Sequence, residues 1–217
     1  MPPSETALTT RLCLVRHGET AWNAEGRIQG QLDIPLSEAG HAQARALALA
    51  LKEAVFDVIY SSDLERVRQT AAPAAAHMKL AVAIDPALRE RHYGSFQTIT
   101  YKEAKARFPE RYARFAARDP EFDFDGGESL RAFALRVETC IAGIAARHRG
   151  QQVLVFTHGG VLDIVYRRSA GKSLSEKRDF ELPNAALNHV AVSEGGWRVV
   201  SWADRAHLPG AHNELPL

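Results

Sequence analysis

The chain has 217 residues, of which 27 are Lys or Arg and 26 are Asp or Glu, so its formal net charge at pH 7 is +1. That length predicts one domain with a sizeable core, which needs neither disulfides nor a structural metal. The near balance of charge argues against general binding to nucleic acid or to a membrane surface, although it leaves room for a local basic pocket.

The N-terminal part predicts a strand and then a helix. Residues 11–15 form a short apolar run that is typical of a buried strand. Ser37 is suited to cap an alanine-rich helix that runs to about Glu53. We expect Ala42, Leu49 and their neighbours to form the apolar face of this helix.

The next segment repeats the pattern of a strand followed by a helix. Residues 55–60 predict the second strand. Ser62 and Glu65 have capping-box spacing, which predicts a helix from there to about Met78. Residues 82–84 predict a third, short strand.

The C-terminal half predicts two further helices and three strands. A long helical pattern covers residues 129–149 and is ended by a glycine. Residues 153–156 predict a buried strand, which is followed by Thr157-His158-Gly159-Gly160 and then by a helix that runs to about residue 170. Two short strands, 189–192 and 197–200, flank a Gly-Gly turn and predict a hairpin.

The alternation of strands and helices predicts the fold class and the domain organisation. It indicates an α/β protein, a three-layer sandwich whose mostly parallel central sheet has helices on both faces. The chain shows no internal repeat and no linker-like change of composition. We therefore expect a single domain over residues 11–203, with terminal tails at residues 1–10 and 204–217.

Several chemically active side chains follow predicted strands. Arg16 and His17 follow the first strand, Arg66 lies on the first helical turn after the second strand, and His158 follows the 153–156 strand. Ligand sites of open α/β sheets form outside the carboxyl ends of the strands. Residues more than a hundred positions apart in sequence are therefore expected to converge at one edge of the sheet.

His17 is the candidate nucleophile. A neutral imidazole attacks phosphorus and forms a covalent phosphohistidine that water later hydrolyses. Phosphoryl transfer requires fixed donors around three phosphate oxygens, and Arg16 and Arg66 offer planar, permanently charged forks. His158 and Asn23 are candidates for further donors. The alternative for a histidine at a strand end is a hydrogen-bonded core residue.

Glu90 follows the third predicted strand at the same edge of the sheet. A carboxyl group beside a phosphate is able to protonate the leaving oxygen and later to deprotonate a water molecule. Spacing alone favours another interpretation, a surface ion pair with Arg89 or Arg91.

Four segments together resemble the signature of the histidine phosphatase superfamily, the phosphoglycerate-mutase-like enzymes. They are Leu14-Val15-Arg16-His17-Gly18-Glu19-Thr20 with Trp22-Asn23, Leu32-Asp33-Ile34-Pro35-Leu36-Ser37, Ser61-Ser62-Asp63-Leu64-Glu65-Arg66 with Gln69-Thr70-Ala71, and Thr157-His158-Gly159-Gly160. The match spans about residues 11–200 in the order that the family has. An isolated Arg-His-Gly triplet would be far less specific.

The resemblance implies a role for each candidate residue. His17 is the phosphorylated nucleophile, and Glu90 falls where the family keeps its proton donor. The phosphate pocket is completed by Arg16, Arg66 and His158, with Asn23 and the Gly159 amide as additional donors. The resemblance implies no metal and no other cofactor.

The resemblance also bears on the branch of the family. Glu90-Arg91-His92-Tyr93-Gly94 is similar to the mutase segment, which makes Arg91 and Tyr93 candidates for substrate binding. Residues 94–126, however, hold no long insertion with paired arginines, and Gly160 stands where the mutases usually have Asn. Residues 125–129 resemble the shorter phosphatases. The sequence therefore favours a phosphomonoesterase acting on a small phosphorylated metabolite, with a 2,3-bisphosphoglycerate-dependent phosphoglycerate mutase as the alternative.

Residues 108–118 carry a second pattern, in which three arginines fall on one helical face and three aromatic residues on the adjacent face. One interpretation is a lid whose arginines hold an anionic substrate tail. The alternative is a solvated face over a packed aromatic stripe. Contact of Arg111, Arg114 and Arg118 with substrate is left open.

The expected partner is a small phosphate ester, with no nucleic acid and no membrane. A non-catalytic relative would have lost one of the catalytic residues, and all of them are present. Residues 1–6 lack the features of a signal peptide, and Cys13 and Cys140 lie in apolar patterns typical of reduced core thiols. These features predict a cytoplasmic protein, whose oligomeric state is left open with a homodimer among the options.

Overall fold

The computed structural model describes residues 8–208, in which strands and helices alternate along most of the chain. The strands are β1 (Thr10–Arg16), β2 (Val58–Ser61), β3 (Val82–Ile84), β4 (Gln152–Thr157), β5 (Leu187–Ser193) and β6 (Gly196–Asp204). The α-helices are α1 (Ala21–Ala24), α2 (Glu38–Ala50), α3 (Glu65–Met78), α4 (Tyr101–Arg107), α5 (Pro109–Ala116), α6 (Leu130–Arg147) and α7 (Gly159–Ala170).

The strands form one sheet in the order β3-β2-β4-β1-β5-β6. The first four of these strands are mutually parallel, while β5 runs antiparallel to both β1 and β6. The β5–β6 connection is the predicted hairpin. Because the parallel strands point the same way, their carboxyl ends meet at one edge of the sheet. The expected mostly parallel sheet is confirmed.

Helices cover both faces of the sheet, and the side chains of β1 show how. Leu12 and Leu14 pack in a core with α6 and α7, whereas Cys13 and Val15 pack in a second core with α2 and α3. Successive side chains of a strand point to opposite faces, so one apolar run supplies both cores. The expected three-layer α/β sandwich is confirmed.

A third, smaller core joins Ile28 to the segment of residues 93–124, which connects the β3 region to α6. Phe96, Phe122 and Phe124 form its centre, with the Phe122 and Phe124 ring centroids 4.8 Å apart. The predicted aromatic stripe of α5 packs against them through partly buried rings. Pro109 is the first residue of α5, a position where its missing N–H costs nothing.

The predicted apolar face of α2 is wrong, although its N-cap is right. The Ser37 side chain accepts a hydrogen bond from the Gly40 amide at 3.1 Å. The buried residues, however, include Ala44 and Leu47, whereas Leu49 is 71% exposed. At about 100° per residue, Leu49 lies far around the helix from Leu47.

The predicted capping box at the start of α3 is also wrong. Leu64 is the N-cap residue and makes no side-chain cap hydrogen bond. The Glu65 amide instead donates to Oδ1 of Asp33 at 2.6 Å, and the Ser62 hydroxyl contacts His158. The Asp33 carboxylate, which is distant in sequence, thus replaces the predicted cap of α3, and the Ser62 hydroxyl contacts His158 instead.

Within residues 8–208, no helix combines the length and the apolar character needed to cross a membrane.

Candidate active site

The two candidate histidines lie side by side because β1 and β4 are adjacent and parallel. Arg16, the last residue of β1, is in register with Thr157 of β4, so His17 and His158 follow their strands at the same level. Their ring centroids are 5.3 Å apart. The predicted convergence at the edge of the sheet is confirmed for these residues.

The hydrogen bond of His17 fixes its tautomer. Nδ1 lies 2.7 Å from the Gly18 carbonyl oxygen, which only accepts, so Nδ1 carries the proton and Nε2 keeps its lone pair. Burial, together with the positive charges of Arg66 and Arg16, holds the pKa of His17 well below its usual 6.5. The side chain is therefore a neutral imidazole with a free Nε2, as a nucleophile requires.

Backbone contacts hold the His17 segment from three sides. The His17 amide donates to the Thr157 carbonyl at 2.9 Å, and Asn184 Nδ2 donates to the His17 carbonyl at 2.8 Å. The Gly18 amide donates to Thr70 Oγ1 at 2.9 Å. Sequence reasoning missed Asn184, which lies in an irregular loop with no motif around it.

Arg16 and Arg66 place positive charge in the same cavity as His17. Arg16 Nη1 donates to the Leu182 carbonyl at 2.6 Å, and Arg66 donates to the carbonyls of Leu32 and Gly30, each at 2.8 Å. Burial lowers the pKa of Arg66 to about 10, so it stays protonated at neutral pH. Carbonyl oxygens orient both guanidinium groups without neutralising them, which suits an oxyanion ligand.

His158 contacts Arg66 rather than the cavity. Its Nδ1 lies 3.2 Å from Arg66 Nη2, and because a guanidinium only donates, Nδ1 accepts and Nε2 carries the proton. Nε2 then donates to Ser62 Oγ at 3.0 Å. Burial and the charge of Arg66 hold the pKa of His158 well below 6.5. In this arrangement His158 orients Arg66, and donation to a phosphate would require its ring to change partners.

Glu90 is not in a surface ion pair, so that interpretation of the sequence is wrong. Its Oε2 accepts from the Gly160 amide at 2.9 Å and its Oε1 from the Arg91 amide at 2.7 Å. Arg89 instead pairs with Asp63. The carboxyl group is held against the first turn of α7, at the wall of the His17 cavity.

Gly160 is required for that position of Glu90. A Cβ atom built on Gly160 would lie only 2.0 Å from Glu90 Oε1 and 2.9 Å from Cδ. Arg136 holds the backbone of this segment by donating to the carbonyls of Arg89 and Glu90 at 2.9 and 3.2 Å. The sequence analysis named Gly160 as part of a family segment and as a difference from the mutases but did not connect it with Glu90, and it missed Arg136.

Two of the predicted binding residues, Arg91 and Tyr93, line a second cavity, and Tyr93 lines the His17 cavity as well. Arg91 is buried and donates to the carbonyls of Glu128 and Phe122 at 2.9 and 2.8 Å, with its guanidinium 4.5 Å from the centre of the Phe124 ring. Burial lowers the pKa of Arg91 to about 10 and raises that of Tyr93 well above its usual 10. Both groups therefore keep their ordinary protonation at neutral pH.

Asn23 and Gly159 lie in different cavities. Asn23 lines the His17 cavity, and its Oδ1 accepts from the Thr20 amide at 3.0 Å in the capping box of α1. That contact leaves the Asn23 NH₂ group available as a donor. Gly159 is buried at the start of α7 and lines the second cavity.

The two cavities adjoin. The first, the His17 cavity, is lined by residues that include Arg16, His17, Asn23 and Arg66. The second, here called the Arg178 cavity, is lined by residues that include Arg91, Arg118, Asp163 and Arg178. Glu90, Tyr93 and Tyr101 line both. Glu90 thus stands at the boundary between the two cavities.

Arg118 does not lie on one helical face with the other two arginines of the predicted lid, Arg111 and Arg114, which both lie over the Phe122 ring. Arg111 pairs with Asp125 at 2.8 Å, and Arg114 is half-exposed and pairs with Asp119 at 2.7 Å. Arg118 lies beyond the end of α5 with a φ of 56° and lines the Arg178 cavity.

Within the described part of the chain, no group of three or more His, Cys, Asp or Glu side chains is arranged to hold a metal ion. The positive charge at the site comes from arginine.

The family model of the histidine phosphatase superfamily (branch 1) matches residues 12–205. The chain belongs to the histidine phosphatase superfamily. It is 42% identical over 202 residues to a metal-independent phosphoserine phosphatase of Arabidopsis thaliana, covering 92% of this chain and 83% of that protein. It is 39% identical over 209 residues to phosphoglycerate mutase-like protein 4 of the same plant, covering 94% and 90% of the two chains.

A solved structure of a mutant phosphoserine phosphatase from Entamoeba histolytica, in complex with phosphoserine, has a TM-score of 0.83. It is 26% identical, and the match covers 92% of this chain and 99% of that one. This histidine phosphatase is accordingly a phosphomonoesterase that acts on a small phosphorylated metabolite.

Proposed function

We propose that this histidine phosphatase transfers the phosphoryl group of its substrate to Nε2 of His17 and then to water, with Glu90 handling the proton in both steps. One observation carries the proposal. The Gly18 carbonyl fixes the proton on Nδ1, so a bare Nε2 is available in a cavity that Arg16 and Arg66 line. The imidazole is ready to attack without first losing a proton.

In the first step, Nε2 of His17 bonds to phosphorus and the bond from phosphorus to the ester oxygen breaks. Arg16 and Arg66 offset the charge on the phosphoryl oxygens, and the Asn23 NH₂ group, which lines the same cavity, supplies a neutral donor. Protonated Glu90 gives its proton to the leaving alkoxide. The positive charge that forms on the imidazole is shared with the Gly18 carbonyl through Nδ1.

In the second step, the Glu90 carboxylate takes a proton from water, the water oxygen bonds to phosphorus, and the bond from Nε2 to phosphorus breaks. Phosphate leaves, His17 is again a neutral imidazole, and Glu90 is again an acid. No proton has to enter or leave through His17. The cycle needs no metal and no redox partner.

Gly160 supports water as the acceptor. An Asn side chain at residue 160, which the mutases usually have, would start with a Cβ atom 2.0 Å from the present position of Glu90 Oε1. A mutase would therefore need its acid placed differently. Phosphoserine is the first ester to test, because the metal-independent relative and the solved complex carry that name.

The decisive experiment compares the wild-type enzyme with His17→Asn. The Asn amide keeps a donor for the Gly18 carbonyl but offers no nucleophilic nitrogen. Enzyme quenched during turnover of radiolabelled phosphoserine should carry an acid-labile, base-stable label only in the wild type. His41→Asn, which changes an exposed histidine of α2, is the matched control and should keep both label and turnover.

The same samples identify the acceptor. Phosphate should be released from phosphoserine and from 3-phosphoglycerate without added 2,3-bisphosphoglycerate. Label on the His17→Asn variant would remove His17 as nucleophile. Formation of 2-phosphoglycerate that requires bisphosphoglycerate, without release of phosphate, would place the enzyme with the mutases.

A further inference from the structure

The wall of the Arg178 cavity holds a group of charges that the phosphoryl transfer does not use. Asp163 of α7 is buried, and its Oδ2 contacts Arg118 Nη2 at 2.5 Å and Arg167 Nε at 3.0 Å. Its Oδ1 contacts Arg178 Nε at 3.3 Å. One carboxylate thus pairs with three arginine side chains. Together these four largely buried groups carry a net charge of +2, which is the surplus of positive charge.

Such a surplus is costly without a compensating anion. Arg118 and Arg178 have side chains only 13% and 11% exposed, and that of Arg167 is 1% exposed. Moving charged groups out of water costs free energy, and this cost is offset only when opposite charges and hydrogen bonds replace the water. Arg118 and Arg167 partly meet this need by donating to the carbonyls of Leu174 and Ser173 at 2.8 and 2.7 Å.

Arg178 is the member of the group with the most donors to spare, since Arg118 and Arg167 each have one terminal nitrogen without a partner among the described residues. Its Nε contacts Asp163, while its two terminal nitrogens have no hydrogen-bond partner among residues 8–208. Arg178 and Arg118 both line the cavity, whereas Arg167 does not. Two terminal nitrogens of one guanidinium form a fork that matches the two oxygens of a carboxylate.

We propose that the Arg178 cavity is a subsite for a carboxylate on the leaving group of the substrate, bound by Arg178 with Arg118 beside it. The inference rests on the proposed function, because it takes the phosphate to lie in the His17 cavity. Glu90 lines both cavities, so an ester oxygen beside Glu90 places the rest of the leaving group next to these arginines. The substrate is then a short phosphate ester of a hydroxy acid or a hydroxy amino acid.

Asp163 positions the two arginines and makes no contact with substrate in this scheme. It holds Arg118 through one oxygen and Arg178 through the other, and it lies one turn after Gly159 and Gly160 on α7. The Asp163 carboxylate that holds the two arginines and the amide that holds Glu90 are therefore on the same helix. A substrate that binds the subsite is aligned with the proton donor by a rigid element.

The first test uses the wild-type enzyme and two esters that differ by one group, O-phosphoserine and O-phosphoethanolamine. Both release an alkoxide and both carry an ammonium group, but only phosphoserine has the carboxylate. We expect kcat/KM to be roughly 10- to 100-fold higher for phosphoserine, the range of a charged hydrogen-bonded contact. Equal values for the two esters would overturn the subsite.

The second test is Arg178→Gln, with Arg168→Gln as the matched control. In Arg178→Gln, Arg118 and Arg167 still pair with Asp163. Arg168 is a half-exposed residue of α7, the helix that carries Asp163. Arg178→Gln should raise KM for phosphoserine roughly 10-fold or more and leave phosphoethanolamine and p-nitrophenyl phosphate within about 3-fold. Arg178→Lys should restore part of the loss, and Arg168→Gln should change nothing.

The outcomes separate the two proposals. Equal slowing of all three esters by Arg178→Gln, or no effect on any, would overturn the subsite while the phosphatase mechanism stands. Failure of the wild-type enzyme to hydrolyse any of them, with no label on His17, would overturn the proposed function itself.

Discussion

The contact between Gly160 and Glu90 allows a substitution whose effect can be worked out from the structure. In Gly160→Ala, the new Cβ would lie 2.0 Å from Glu90 Oε1, whereas ordinary contact begins at 3.4 Å. Glu90 must therefore retreat by about 1.4 Å. It would then lose the hydrogen bond from the Gly160 amide. Misplacing a reacting group by about 1 Å costs on the order of 10²-fold in rate.

We therefore expect Gly160→Ala to slow phosphorylation of His17 by alkyl phosphates roughly 10²-fold while the fold survives, because the displaced atom ends a flexible side chain. An aryl ester such as p-nitrophenyl phosphate expels a stable phenolate and needs no acid, so its phosphorylation step should be nearly unchanged. The pre-steady-state burst with each ester measures this step directly.

Gly143→Ala is the matched control. It adds the same methyl group inside α6, where the nearest atom to the new Cβ is Arg147 Nη1 at 3.5 Å. It should leave both bursts intact and stabilise the protein by about 0.5–1 kcal/mol. Wild-type bursts in Gly160→Ala, or equal slowing with the alkyl and the aryl ester, would refute the link between Gly160 and the proton donor.

Three further predictions concern Glu90 as the acid, the independence of turnover from metal ions, and the protonation of His17. Glu90→Gln should slow the alkyl-phosphate burst by ~10²–10⁴-fold and spare the aryl burst; equal slowing would make Glu90 a positioning group. Dialysis against EDTA should leave turnover intact, and a loss that a divalent ion restores would indicate a metal site. The pKa of His17 is held below its usual 6.5, so only the unfolded chain takes up this proton as the pH falls below 6.5. The free energy of unfolding should then decrease by up to about 1.4 kcal/mol per pH unit on this account, and urea titrations of His17→Asn should show a shallower decrease.

The convergence of His17, Arg66 and His158 could be predicted because it depends on topology. Parallel strands end at one edge of the sheet, so any residue that follows a strand is placed by the fold class alone. The role of Glu90 could not be settled in this way. Its environment depends on the Gly160 amide, 70 residues away, and spacing alone favoured an ion pair that the structure does not have.

Two of the failed predictions, the Ser62 capping box and the Glu90 ion pair, have a common physical reason. Ser62 has the spacing of a cap, yet a hydrogen bond from His158 competes for its hydroxyl group, and Asp33 supplies the helix with another acceptor. Arg178 lies in a stretch with neither helix nor strand, so no periodicity marks it. The local sequence pattern predicts backbone conformation well. It does not show which of several groups, distant in sequence, a polar side chain will contact.

The loop that carries Arg178 is secured differently from the strand that carries His17. β1 is hydrogen-bonded along its length to β4 and β5, whereas the loop after Gly171 is held through Ser173 and Leu174 by two arginine side chains. Segments with few backbone hydrogen bonds open at lower free energy than central strands. Under mild denaturant the enzyme would therefore lose its preference for carboxylate-bearing esters before it lost its turnover. The ratio of kcat/KM between two esters would then report on the local order of this loop, which the turnover rate alone does not show.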